Sequence, residues 1–170
     1  VPFSRELYIE RDDFREEPEK KFFRMAPGRE VRLMGAYLVT CQEIVKDENG
    51  QITEIRCTYD PATKGGNAPD GRKVKGTIHW VSAAQAVPAT VRLYEHLFVY
   101  NEEAKDYVHN PDSVTIMDRA VIEPSVLQEE LGTRFQFVRN GYFITDPKDS
   151  KQDHLVINRI VALKSSYKPE

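Results

Sequence analysis

Val31-Arg32-Leu33-Met34-Gly35-Ala36-Tyr37-Leu38-Val39-Thr40-Cys41-Gln42-Glu43-Ile44, then Lys46-Asp47-Glu48-Asn49-Gly50-Gln51, then Ile52-Thr53-Glu54-Ile55-Arg56-Cys57-Thr58-Tyr59, is the stretch that sets the fold class. Val31, Leu33, Tyr37, Val39 and Cys41 share one parity of a period-two pattern, the mark of a strand whose alternate side chains point to one face. Met34, Leu38 and Ile44 lie on the other parity, so this long strand is expected to be buried on both sides for part of its length. Asn49-Gly50 tolerates the positive φ that a tight hairpin turn demands. After the turn, alternation places Ile55, Cys57 and Tyr59 together. The stretch reads as a β-hairpin.

Strand signals continue outward from it. Leu7-Tyr8-Ile9 is a short strand, and Val74–Val81 another, after a Gly/Pro-rich loop from Asp60 to Gly71. Ser82–Val87 is expected as one helical turn ended by Pro88. Val91–Tyr94, Leu97–Tyr100, Val114–Met117, Ala120–Ile122, Phe135–Val138, Tyr142–Thr145 and Leu155–Leu163 complete the β pattern, with Arg139-Asn140-Gly141 as a tight turn. Two helices are expected, Ser125–Leu131 and about Asp13–Phe23, the latter opening on Asp13 with Glu16 three places on. Many short strands with few helices predict an all-β chain of two small β-barrels. The polar interval Asn101–Asp112 suggests a boundary, giving a first barrel over 1–100 and a second over 101–170.

The chain has 170 residues, a net charge of −3, and 40% hydrophobic and 30% charged residues, the composition of an ordinary globular protein. No apolar run approaches the roughly 20 residues of a membrane-spanning helix. Val1-Pro2-Phe3-Ser4-Arg5-Glu6 lacks the features of a secretory signal, and the chain reads as a fragment of a longer one. Cys41 and Cys57, the two cysteines, are expected to be buried free thiols in a reducing cytosol.

Catalytic patterns fare poorly. Gly65-Gly66 is followed by Asn67 and Pro69, not by the Gly-Lys-Ser/Thr step of a phosphate loop. His79, His96, His109 and His154 show no metal-ligand spacing, and His79 reads as a hydrogen-bonded wall residue sooner than a catalytic one. Ser4, Ser82, Ser125, Ser165 and Ser166 occupy no nucleophile elbow. Glu16-Glu17 and Glu129-Glu130 are adjacent on expected helices and so do not face each other. No catalytic residue is assigned.

Binding is better supported, because a polyanion responds to local charge more than to its sum. Lys20, Lys21, Arg24, Arg29 and Arg32 lie within thirteen positions, interleaved with Phe22, Phe23 and Tyr37, and Arg72, Lys73 and Lys75 form a second cluster. Arginine forks and aromatic platforms are the groups that read splayed single-stranded RNA bases. In Phe135-Gln136-Phe137-Val138-Arg139 the phenylalanines are expected in the core, with Gln136 on the opposite face. For Gln136 and Arg139 a solvated role and a base-reading role both stay open.

Several segments resemble the C-terminal anticodon-binding region of glutaminyl-tRNA synthetases, class I aminoacyl-tRNA synthetases. They are Val1-Pro2-Phe3-Ser4-Arg5-Glu6-Leu7, Gly28-Arg29-Glu30-Val31-Arg32-Leu33, Asp70–Ala84, Val91–Tyr94, Phe135-Gln136-Phe137 with Arg139, Gly141-Tyr142-Phe143, and Asn158-Arg159. The resemblance implies two six-stranded-type β-barrels of the ribosomal protein L25-like type that take the three unstacked anticodon bases into separate pockets. It implies no cofactor in this region, with ATP and magnesium held by a catalytic domain elsewhere in the same polypeptide. The fragment alone would be inactive, and the second barrel, sharing N-terminal residues, would be truncated. A cytoplasmic monomer, joining glutamine to tRNA-Gln through an adenylate, is the implied whole.

Residue by residue, the resemblance puts Arg24 at the third anticodon base, Arg32 at the first, and Gln136 and Arg139 at the middle one. Lys21 stands where a glutamine is usual, Phe23 where a lysine is, and Met34 where a second arginine is. The RNA-binding set expected is therefore Lys21, Phe23, Arg24, Arg32, Gln136 and Arg139. The equivalent domain of an archaeal- or eukaryotic-type glutamyl-tRNA synthetase, or a β-barrel that docks protein, is the alternative, the acidic total favouring the docking form.

Overall fold

The computed structural model describes residues 2–65, 67–151 and 153–163; Val1, Gly66, Ser165 and Ser166, which enter the readings above, lie outside them. The chain divides into two units between Ala84 and Gln85. The first holds β1 (Leu7–Ile9), β2 (Glu30–Leu33), β3 (Leu38–Lys46), β4 (Ile52–Asp60), β5 (Thr77–Ile78) and β6 (Trp80–Ser82). The Asn49-Gly50 hairpin is present, joining antiparallel β3 and β4. Asp47 Oδ1 accepts from the N–H groups of Asn49 (2.9 Å) and Gln51 (2.8 Å), and Gly50 takes φ 76°.

The long strand expected before that hairpin is two strands. β2 turns back on β3 with Val31 opposite Val39, through a turn at Met34–Ala36 in which Gly35 adopts φ 68°. A left-handed φ is open to glycine at no steric cost. The apolar residues on both parities thus record a reversal of the chain, which resets the phase. β5 adds in parallel to β2, giving the sheet order β4-β3-β2-β5, and β1 pairs with β6 in a separate two-stranded sheet. Phe14, Met25, Val31, Leu33, Ala36, Val39, Cys41, Ile78 and Trp80 form the core of this unit.

The helix expected over Asp13–Phe23 does not form. Residues Arg11–Asp13 make one 3-10 turn, and Phe14 and Met25 then form a parallel β-bridge, both buried in the core. The Arg15 N–H donates to the Met25 carbonyl and the Met25 N–H to the Asp13 carbonyl. With both ends fixed in extended pairing, the segment between them bulges outward as a loop.

The second unit holds β7 (Val87–Tyr94), β8 (Phe98–Asn101), β9 (Asp106–His109), β10 (Val114–Ile122), β11 (Arg134–Phe137), β12 (Gly141–Thr145) and β13 (Leu155–Ala162). Ser82–Val87, expected as a helical turn, is instead the end of β6, a turn and the start of β7. Five strands form a mixed sheet in the order β10-β7-β13-β12-β11, with β13 parallel to β7, while β8 and β9 form a separate hairpin. The expected helix at Ser125–Leu131 is a 3-10 turn, Pro124–Gln128, whose Val126 is buried. Ala89, Val91, Ile122, Val126, Phe143, Leu155 and Ile157 form the core.

The all-β content matches expectation; the two β-barrels do not. A barrel requires its edge strands to pair with each other. Among the described residues β4 and β5 end one sheet, and β10 and β11 end the other, without closing. β5 is two residues long, too short to carry a closing ladder. Each core lies under one face of an open sheet, covered in the first unit by the Phe14/Met25 bridge and in the second by the Val126 turn.

Ile157 is fully buried on β13, between β7 and β12. Ile157→Ala is expected to destabilise the second unit by about 2–5 kcal/mol through lost burial and a residual cavity. Urea unfolding should show this as a lower midpoint at unchanged slope.

Candidate nucleic-acid interface

The loop from Arg15 to Arg24 carries the first group of candidate residues. Arg24 ion-pairs with Asp13 Oδ1 at 3.1 Å and donates to the Asp12 carbonyl, also at 3.1 Å. Asp13 is fully buried, whereas the Arg24 side chain is 41% exposed. Both contacts use Nη1, so the Nη2 and Nε donors of the fork have no partner among the described residues. A buried carboxylate aims the guanidinium while its outer edge stays available for bidentate bonding.

Arg29 does a different job. Its Nη1 donates to the Phe22 carbonyl and, at 3.4 Å, to the Arg24 carbonyl. It clamps the loop from beneath. Lys21 is exposed in a turn, and Phe23 is 49% exposed with Lys75 Nζ 5.2 Å from its ring centroid. The Lys75 contact is a cation–π arrangement that supplies positive charge beside a stacking platform.

Gly76 fixes where that platform sits. A Cβ at Gly76 would lie 1.9 Å from the Phe23 carbonyl oxygen and 3.2 Å from Val31 Cγ1. Only glycine permits this approach. The Gly76 carbonyl in turn accepts the Arg32 N–H at 2.8 Å. The segment Arg72–Gly76 therefore lies against both Phe23 and Arg32.

Arg32 lies on β2, between Leu38 of β3 and Thr77 of β5. Its side chain lines a cavity of about 440 Å³ together with Asn67, Ala68, Gly71, Arg72, Lys73 and Val74. Arg32 Nε is buried and has no hydrogen-bond partner. An unmet buried donor costs free energy of order 1–3 kcal/mol, and such groups in folded proteins call for a ligand, water or functional reason. Arg72, by contrast, is saturated. It pairs with Glu30 through two hydrogen bonds of 2.9 Å, with Asp60 at 2.6 Å and with Asp70 at 2.6 Å. Met34 is exposed in the turn after β2, and its carbonyl accepts from Trp80 Nε1 at 3.0 Å.

Gln136 and Arg139 belong to the second unit. Phe135 and Phe137 turn to the core, their rings stacked at 6.2 Å, with Phe137 4.9 Å from Phe143. Gln136 is exposed on the opposite face of edge strand β11, directly across from the exposed Tyr142 on β12. Arg139 sits in the expected turn at φ 74° and is half-buried. Tyr142, part of the resembling segment Gly141-Tyr142-Phe143, was not in the expected RNA-binding set. The signal was present, because the tight Arg139-Asn140-Gly141 turn puts Gln136 and Tyr142 in register, an amide beside a ring.

Each unit is thus an open sheet that carries arginine and exposed aromatic side chains. Among the described residues no group of three His, Cys, Asp or Glu side chains could hold a metal ion, and no helix is long and apolar enough to cross a membrane.

Comparison with known proteins gives the class. Residues 1–60 and 77–146 match two family models, each described as the anti-codon binding domain of class I tRNA synthetases (E and Q). The chain belongs to that family. It is 51% identical to a glutamine–tRNA ligase of Clostridium kluyveri and 54% identical to one of Clostridium perfringens, each over 99% of this chain and 31% of the relative. A glutamine–tRNA ligase of Nitrobacter winogradskyi is 53% identical over 98% of this chain and 30% of its own length. The chain thus spans under a third of these relatives.

Two predictions follow from the Arg72–Gly76 segment. Gly76→Ala should displace the Phe23 backbone, lowering the melting temperature and speeding hydrogen exchange around Phe23 and Arg24. Arg72 holds the carboxyls of Asp60, mainly by side-chain hydrogen bonding, and Asp70, mainly by its own backbone N–H, below the usual carboxylate range. Carboxylates with depressed folded pKa values stabilise the fold at neutral pH and lose that contribution as pH falls through those values. Arg72→Gln should therefore lower stability at pH 7 and flatten its decline on acidification, as read by thermal melts at pH 7 and below pH 4.

Proposed function

We propose that this chain is the anticodon-reading region of a glutamine–tRNA ligase and that the cavity beside Arg32 receives an unstacked anticodon base. The observation that carries this reading is a cavity lined by Arg32, a residue whose buried Nε has no hydrogen-bond partner. A base edge offers the acceptor this donor lacks, and unstacked bases are read by pairing such forks with aromatic platforms. Arg32 would take the first anticodon base, and the free edge of Arg24 the third. Gln136, with Arg139 beside it and Tyr142 as platform, would take the middle one. Lys21 and Lys73 would meet phosphates, and Phe23, where a lysine is usual, would stack.

The glutaminylation step, with its ATP and magnesium, belongs to the part of the polypeptide outside this chain, and the whole is expected to act as a cytoplasmic monomer on tRNA-Gln.

Aminoacylation by the full-length protein tests the assignments. Arg32→Ala, Arg24→Ala and Gln136→Ala should each lower kcat/KM for tRNA-Gln by about 1–3 kcal/mol in transition-state terms. Each variant should also lose discrimination at one anticodon base while keeping it at the other two. A uniform loss against every anticodon variant would reject base reading by these side chains.

A further inference from the structure

We infer that Cys41 and Cys57 form an oxidisable dithiol that joins β3 to β4 as a cross-strand disulfide. This inference stands apart from RNA binding. The two cysteines are directly opposite each other in the β3–β4 ladder, and both are free thiols. The Cys41 N–H donates to the Arg29 carbonyl, and its carbonyl accepts from the Gly28 N–H. Both backbone groups of Cys41 therefore point away from β4, which makes Cys41 and Cys57 a non-hydrogen-bonded pair. Such pairs bring the Cα atoms to about 4.5 Å and their side chains closer than in the hydrogen-bonded kind. That lies inside the roughly 4.4–6.8 Å Cα window of a disulfide.

The two thiols also differ in access. Cys41 is fully buried in the core, whereas Cys57, expected from the sequence to be buried, is exposed on edge strand β4. An oxidant meets Cys57 first, and Cys41 is positioned to resolve the product. Although the residue is exposed, desolvation of its thiolate, and then repulsion from a Cys41 thiolate, pushes the Cys57 thiol up to about 11. Burial likewise raises Cys41. Both groups thus rest as thiols at neutral pH, which makes their exchange with a disulfide slow and calls for an excess of reagent.

With a low-molecular-weight disulfide such as glutathione disulfide, the steps balance. Cys57 loses its proton and attacks one sulfur, forming a mixed disulfide and releasing one thiolate. Cys41 then loses its proton and attacks the Cys57 sulfur, releasing the second thiolate. Two electrons pass from the cysteine pair to the reagent, and the two protons convert the released thiolates to thiols.

The full-length protein, held folded in excess glutathione disulfide and alkylated before peptide mass spectrometry, tests this. A peptide containing Cys41 should be found linked to one containing Cys57, and reductant should release it. Cys57→Ser should abolish glutathione uptake at Cys41, and Cys41→Ser should leave a persistent glutathione adduct on Cys57. Should Cys41→Ser fail to fold, the native protein decides alone. A persistent adduct on native Cys57, or both cysteines remaining alkylatable, would overturn the proposal.

Discussion

One arginine shared among three carboxylates holds the first unit in its working shape. Arg72 ties Glu30 on β2, Asp60 at the end of β4 and Asp70 in its own loop. Those partners hold the guanidinium firmly in its charged form. They anchor the segment that forms one wall of the Arg32 cavity and carries Gly76 beneath Phe23. An exposed ion pair contributes little alone, but a network with bidentate geometry can order a loop. Here the ordered loop lies against both the Phe23 backbone and Arg32.

The same pattern resolves the tension between an acidic total and the polyanionic ligand proposed for it. Many of the acids are engaged with structural arginines: Asp13 with Arg24, Asp146 and Asp149 with Arg92, Glu95 with Arg159. Asp146 is held below the ordinary carboxylate range, first by the Asp149 N–H and then by Asn158. Arg32, Lys21 and Lys73, by contrast, have no carboxylate within ion-pair distance among the described residues. Net charge counts both groups equally, whereas a phosphate or base edge meets chiefly the second. Arg24 belongs to both, since Asp13 orients it through one nitrogen and leaves its outer edge open.

The sequence made the all-β class and the Asn49-Gly50 hairpin legible, because both depend on local chemistry: alternation and a positive-φ turn. It misled where long-range pairing decides. Gly35 inside an apolar run is a turn because β2 has a partner to fold back upon. Asp13–Phe23 fails as a helix because Phe14 and Met25 pair with each other. Barrels were expected from strand number, but closure depends on which edges meet, and a two-residue β5 cannot close one. At the site, the core direction of Phe135 and Phe137 followed from parity. The roles of Arg29 as a loop clamp and Gly76 as a close-approach point did not, since each acts on a carbonyl that only the folded chain brings near.

The central proposal is that an anticodon base enters the cavity lined by Arg32, whose buried Nε lacks a partner. A structure of the full-length protein bound to its tRNA tests this most directly. The account predicts an anticodon-base acceptor within about 3.2 Å of Arg32 Nε, with the Arg72 network intact around it. A cavity filled by protein from elsewhere in the polypeptide, or an anticodon loop lying clear of β2, would contradict it.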